Sequence, residues 1–442
     1  MIAGFIKDVG IALIVLGIII VIHELGHFLV AKFFKIKVET FSVGFGPRLI
    51  GYRHGDTDYR ISAFPLGGYV KMAGENVGDS VTGAPNEFLS KPKWQRFLVA
   101  SAGPAMNVVL AVALLTGLFM YGTEVPEFSE GEAIVGGVEM GSAAEVAGLQ
   151  PGDRIVSIAG KSRPNWEEVE ARIVTNAGQT VQVVVNRNGQ TIETSMTPVK
   201  QGKYDAGYAG LQPKVRVTNV IGSILTGSPA QASGLMAGDE ITAVNGIDLK
   251  AAGRGVSDII QSLPDKTFPL TIARNGQTLE VPVTPILQDG RRMIGIGFVL
   301  PKIMIKENFS GAFDRAIDKN IEYGTLIFQV LGKLVTRETS MKSVDGPIGI
   351  MRATSQFYDA GFGPLLMLMA MISLNLGLMN LLPIPILDGG VMLLLIVEGL
   401  MGHDLSIAFK ERVIQVSFVF LLTAMVVVLY NDVIKLPFFA GP

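Results

Sequence analysis

The chain has 442 residues, of which 49% are hydrophobic and 17% charged, with a mean hydropathy of +0.42. Ordinary soluble domains carry about a quarter of charged residues, so this composition belongs to a membrane protein. The net charge of -2 leaves no broad basic surface for nucleic acid, and the absence of Cys excludes disulfides, thiolate metal sites and a cysteine nucleophile.

Crossing the hydrocarbon core takes about 20 largely apolar residues. The first such stretch, roughly 9–31, contains IALIVLGIIIVIHELGHFLVA and so carries ionisable residues inside an apolar run. A cleaved leader over residues 1–30 is the competing reading, opposed by those ionisable residues and by the lack of a small-residue cleavage site. Ten Lys and Arg follow before the second span at about 97–121, and the positive-inside tendency places that loop in the cytoplasm. With four crossings, both termini and the segment 122–361 then face outward.

Within that segment GSAAEVAGLQPGDRIVSIAG, from Gly141, matches GSPAQASGLMAGDEITAVNG, from Gly227, at nine of twenty positions. NGQT recurs at Asn188 and Asn275, so the likeness spans a whole module present twice. Each copy reads as a short helix, a Gly-Asp turn, an alternating strand, a helix and an Asn-Gly hairpin. This pattern resembles the PDZ family, which captures an extended peptide as an added strand; a spacer without a ligand is the alternative. Over 303–338 the apolar residues fall near helical spacing, as in an amphipathic helix on the membrane surface or the modules, or in a packing helix with no lipid contact. Residues 362–400 are too long for one span and are interrupted by Pro383 and Pro385, which predicts a span to about Leu382, a turn and a new helix from about Asp388. A last span covers 413–430.

The chemistry is concentrated in His23-Glu24-Leu25-Gly26-His27. Residues four apart share a helix face, so His23 and His27 can offer two nitrogens to one ion, and Glu24 beside them can take a proton from water. Ionisable groups inside a span are costly and mark function; histidines satisfied by neighbouring helices, or a structural or carrier metal site, are the other readings. A catalytic site needs a third ligand. His54 and His403 lie in polar stretches, whereas Asp388 follows the proline break within an apolar zone, where a buried carboxylate needs a cation. Two imidazoles and this acid should therefore meet, and such a donor set favours zinc.

HELGH, PLGGYVKM at Pro65–Met72, the duplicated module, GPIGI at Gly346–Ile350 and NLLPIPILDGG from Asn380 occur in the order of the site-2 protease family, and the chain resembles its bacterial regulator-of-sigma-E type. The resemblance implies an intramembrane zinc metalloprotease with His23, His27 and Asp388 on the metal and Glu24 as general base. Asn375 and Asn380 would hold the substrate backbone or reacting carbonyl. Residues 41–72 would form a membrane-associated β-element that takes up substrate as a strand, with Gly67, Gly68 and Tyr69 along it. Val391 stands where many relatives have His.

The expected fold is an α+β polytopic membrane protein with about four transmembrane helices, a membrane-associated β-element and two tandem PDZ-like domains. The divisions are 1–121 (the β-element at about 38–75), 122–205, 206–290, 291–361 and 362–442. Expected partners are the lipid bilayer and single-span membrane proteins such as anti-sigma factors already cut once, or signal-peptide remnants. The expected location is the bacterial inner membrane, with modules and termini periplasmic and HELGH toward the cytoplasm. A silent membrane adaptor that gathers partners through the PDZ-like pair is the alternative function. A zinc transporter would need further intramembrane ligands along a path, and the sequence offers none.

Overall fold

The computed structural model describes residues 2–75, 82–201, 206–215, 218–252, 255–288, 291–336 and 346–434. Parts of the expected 291–361 and 362–442 divisions, at 337–345 and 435–442, lie outside the described residues. The chain forms two compact units. One comprises Met1–Thr123, Lys200–Gly207 and Ile305–Pro442, the other Glu124–Val199 and Tyr208–Met304.

The first unit holds α1 (Ile2–Phe33), a hairpin of β1 (Val38–His54) and β2 (Thr57–Met72), α2 (Lys93–Tyr121), α3 (Phe309–Val335), α4 (Pro347–Ala360), α5 (Phe362–Asn380), α6 (Asp388–Met401) and α7 (Ile407–Ile434). Four of its helices are long and apolar enough to span a bilayer: Ile6–Phe33, Lys93–Tyr121, Phe362–Asn380 and Ile407–Ile434. Lipid offers such helices little hydrophobic drive to associate, so close approach at small residues matters most. A Cβ on Gly26 of α1 would sit 2.3 Å from the Ala102 carbonyl of α2, and one on Gly377 of α5 would sit 2.9 Å from the Pro104 carbonyl. Ser373 Oγ of α5 also donates to the Asn107 carbonyl at 2.8 Å. α2 is thereby gripped on two sides.

The proline break falls where the sequence predicts. Residues 381–387 form a turn, and α6 starts at Asp388. The two glycines of Leu387-Asp388-Gly389-Gly390 are required by packing. A Cβ on Gly389 would meet the Leu381 carbonyl at 2.3 Å, and one on Gly390 the Ile384 carbonyl at 2.2 Å. Their absence lets α6 fold back onto the turn and fixes where Asp388 points. GPIGI has a similar explanation: the Asp432 carboxylate of α7 accepts the Gly346, Ile348 and Gly349 N–H groups at 2.9, 3.0 and 3.3 Å. It thus caps α4, satisfying donors that every helix start leaves open. α3 packs against α2 and α5 by its buried stripe Ala312, Ala316 and Asn320, with Arg315 over the Phe119 ring and Gly324 beside Leu378.

β1 and β2 are long and bent, so each contributes two segments to one sheet. Phe41 lies between Val70 and Tyr59, and Ser42 between Tyr69 and Arg60. Residues 68–72 therefore run along one edge. The hairpin tip carries exposed His54.

The second unit contains the repeat. One copy has a sheet of β3 (Arg154–Ile158), β4 (Lys161–Ser162), β5 (Val181–Arg187) and β6 (Gln190–Met196) in the order β4-β3-β5-β6. The other has β7 (Glu240–Val244), β8 (Ile247–Asp248), β9 (Phe268–Arg274) and β10 (Gln277–Val283) in the order β8-β7-β9-β10. The repeated Gly-Asp and Arg-Asn-Gly words meet in space. Asp153 takes a two-point grip from Arg187 at 2.7 and 2.8 Å, and Asp239 from Arg274 at 2.6 and 2.7 Å. Each Arg sits just before an Asn-Gly pair with positive φ, as a tight hairpin turn requires. The expected divisions miss each module's last strand. Leu211–Pro213 pairs with Val135–Val138, and Ile296–Phe298 with Ile221–Ile224, so the modules run past 205 and 290. These strands span only three or four residues, too few for alternation to register.

Candidate metal centre

His23 and His27 come from one face of α1, one turn apart, and Asp388 from the start of α6. His23 Nε2 lies 3.1 Å and His27 Nε2 3.5 Å from the two oxygens of Asp388, and the two Nε2 atoms are 3.2 Å apart. His23 is 6% exposed, and the side chains of His27 and Asp388 are 12% and 23% exposed. His27 and Asp388, 361 residues apart in sequence, thus join His23 in a group of possible metal-ligand atoms among the described residues.

The donors fit a small tetrahedral ion. Bonds of about 2.0–2.1 Å place tetrahedral ligands about 3.3–3.4 Å from one another, which these separations approach. The backbone has also made room for the imidazoles: a Cβ on Gly103 of α2 would lie 2.2 Å from His27 Nε2 and 2.7 Å from His23 Nε2. The far nitrogens are held as a metal site needs. His27 Nδ1 is 2.8 Å from the Val99 carbonyl, so it carries the proton and leaves Nε2 with its lone pair. His23 Nδ1 is 3.2 Å from the buried Asn107 amide, whose oxygen has no partner as oriented. Turning that amide over puts its oxygen on His23 Nδ1–H and frees the second Nε2 in the same way.

Glu24, beside the first histidine, accepts the Val70 N–H of β2 at 3.1 Å. A Cβ on Gly68 would sit 2.7 Å from the Ser42 carbonyl, so β2 can lie this close to β1 only with glycine there, while toward Glu24 Cγ of α1 the separation of 3.6 Å would be an ordinary contact. A cavity of about 770 Å³ opens on the site, lined by His23, Glu24, His27, Tyr69, Val70 and Asp388 among others. Asn380, the last residue of α5, lines it too.

Other expected site residues lie elsewhere. Asn375 is exposed on α5 and is not among the residues lining the cavity. Gly67, with a positive φ, packs near Phe45 and Ile20 rather than in the cavity. Tyr69 reaches it while stacking on Phe45 and pairing with Arg60. Asn107, Gly103 and Val99 are the residues that sequence reasoning misses. All three sit on α2 at successive steps of four residues, and only knowing that α2 faces α1 singles them out.

Residues 11–424 match the sequence pattern described as Peptidase family M50. Similar proteins include the regulator of sigma E protease of Haemophilus influenzae, 30% identical across 98% of this chain and 100% of its own length. The Escherichia coli K12 protein of that name, RseP, is also 30% identical, with the same coverage. A Neisseria meningitidis protein with the provisional name of zinc metalloprotease is 31% identical over 95% of this chain and 97% of its own.

Proposed function

The chain belongs to Peptidase family M50 and is a site-2-type zinc metalloendopeptidase of the membrane, and on that premise we propose which of its groups do what. His23, His27 and Asp388 hold the zinc, and Glu24 is the general base. The single observation that carries this assignment is the convergence of His23, His27 and Asp388 beside Gly103, with Glu24 on the same cavity. When bound, zinc supplies a Lewis acid that lets water attack a carbonyl near neutral pH.

The chain's own groups do the rest. A substrate helix has its amides bonded internally, and a scissile carbonyl is reachable only after several residues unwind. The edge segment 68–72 offers replacement backbone bonds to the opened strand, since its residues Tyr69, Val70 and Met72 face the cavity. Glu24 takes a proton from the attacking water at a carboxylate oxygen and returns it to the departing amine. The Val70 N–H fixes that carboxylate. Asn380 donates its side-chain amide to the reacting carbonyl region. Asn375 would reach substrate only from the outer face of α5, as part of the path by which it arrives.

The test is Glu24→Gln in purified full-length protein, with zinc content and cleavage of a single-span reporter as readouts. The expected result is retained zinc with cleavage lowered about 10²–10⁴-fold. Equal cleavage by both proteins would remove Glu24 from the mechanism. No cleavage by zinc-loaded wild type would favour the silent adaptor.

The repeated modules, read as PDZ-like, face the periplasm of a bacterial inner membrane and control which single-span proteins reach the site. Anti-sigma factors already shortened by a first cut, and signal-peptide remnants, are the proposed substrates; the names of the relatives support the former. The ten Lys and Arg between the first two spans support a cytoplasmic position for the HELGH end. Deleting both modules through their last strand, residues 127–300, should let the enzyme cut reporters with intact outer domains; continued resistance of those reporters would end the access-control reading.

A further inference from the structure

The cavity that holds the metal centre also contains a cation the chemistry above leaves unused. Arg96, in the first turn of α2, is 5% exposed and lines the cavity. Its buried Nε has no hydrogen-bond partner, and the charge that reaches it is that of Asp404, which acts through space. The carboxylates around it hold other direct partners, although Glu398 Oε2 is buried without one. Lys410 pairs with Glu398, whose Oε1 also accepts the Leu405 N–H, and Lys93 pairs with Asp404 at 3.0 Å. Of the two cations lining the cavity, Lys410 has a direct carboxylate partner and Arg96 has none among the described residues. A guanidinium withdrawn from water with no directly bonded anion is disfavoured, and Asp404 is already paired with Lys93, so the place of Arg96 makes sense when a carboxylate arrives during work.

Its position says where that anion sits. Arg96 is seven residues before Gly103, whose missing Cβ makes room for the two imidazoles. At about 1.5 Å per helical residue the separation along α2 is about 10 Å, and an extended chain covers that in about three residues. We propose that Arg96 is a specificity-determining residue that receives the carboxylate of an Asp or Glu side chain on the substrate, about three residues from the bond cleaved. The planar guanidinium can grip a carboxylate at two points, giving direction as well as attraction. This inference rests on the peptidase reading and on the cavity as the substrate's channel. An anionic lipid headgroup is the rival occupant. The shared cavity favours the substrate, because a strand reaching the histidines passes Arg96.

The experiment uses full-length zinc-loaded enzyme in phosphatidylcholine vesicles. Single-span reporters carry one Asp, or Asn as the control, at each position two to five residues on either side of the cleaved bond. Wild type should prefer Asp over Asn by about tenfold or more in kcat/KM at one position about three residues away. Arg96→Gln should bring that ratio to about one, and Arg96→Glu should transfer the preference to Lys at the same position. A structural role for Arg96 would not exchange specificity in this way. Should Arg96→Glu fail to fold, the Asp-to-Asn ratio of Arg96→Gln decides. Equal cleavage of Asp and Asn reporters by wild type at every position overturns the inference alone. So does a preference that survives Arg96→Gln, or an Arg96 effect that appears only with added phosphatidylglycerol and is the same for both reporters. Wild type that cuts no reporter overturns the peptidase reading and this inference with it.

Discussion

Carboxylates buried in the repeated modules and the half-buried Asp388 differ in their partners, and those partners separate a site from a scaffold. Asp153 and Asp239 lie buried in the repeated modules, each gripped by an Arg that carries its charge at every working pH. These pairs are complete in themselves. Asp388 faces two imidazoles whose far nitrogens are committed to other groups, so among the described residues no permanent positive charge pairs with it. A lone acid in apolar surroundings thus marks a structural clamp when an Arg waits for it. It marks an ion site when the waiting groups are neutral lone pairs, unlike the N–H groups that Asp432 accepts as a helix cap.

That contrast can be broken most forcefully at Asp388. Asp388→Ala leaves two histidines, too few for a stable catalytic ion, so zinc in the purified protein should fall well below one per chain and cleavage should become undetectable. If zinc remained stoichiometric in this variant, Asp388 would be a clamp like the others. A smaller effect is expected one step outward. Asn107→Ala removes the group facing His23 Nδ1 and should weaken zinc affinity about 10–100-fold, read by competition with a chelator, with cleavage recovered at high zinc. Unchanged affinity would mean that His23 needs no such partner.

The sequence shows the ends of this argument better than its middle. HELGH carries its own helical spacing, and Asp388 is conspicuous because prolines and apolar residues isolate it. The four spans are legible because 20 apolar residues have few other uses. What one strand of text cannot show is which faces meet. Gly103 looks like any small residue in a span until His23 and His27 are found against it, and Asn107 like any polar one. Asn375 illustrates the converse: a motif position suggests a part in the site, but the period of α5 leaves it exposed while Asn380 reaches the cavity. The module ends are hidden for another reason, since strands of three or four residues have no periodicity to read.

The smallest expected effect concerns the clamps and works through pH. Burial alone would raise the Asp153 carboxyl, but the Arg187 hydrogen bonds overcome this and hold it below the ordinary range; Asp239 is lowered chiefly by Arg274. A carboxyl whose folded pKa is depressed stabilises the fold fully above its unfolded value, near 4. The contribution shrinks as pH falls below that value and is lost once pH passes through the folded one. Each Arg is about a quarter exposed, so water screens the pair and about 1 kcal/mol per clamp is a fair scale. Amide hydrogen exchange in β3 and β7 of the full-length protein should therefore be steady from pH 7 to about 5, after correction for the intrinsic rate, and quicken below about 4. Asp153→Asn should quicken β3 already at neutral pH and flatten its acid response, while β7 keeps the wild-type profile. A β3 profile that matched wild type across this range would show that the Asp153 charge contributes nothing, and that shape alone holds the first module together.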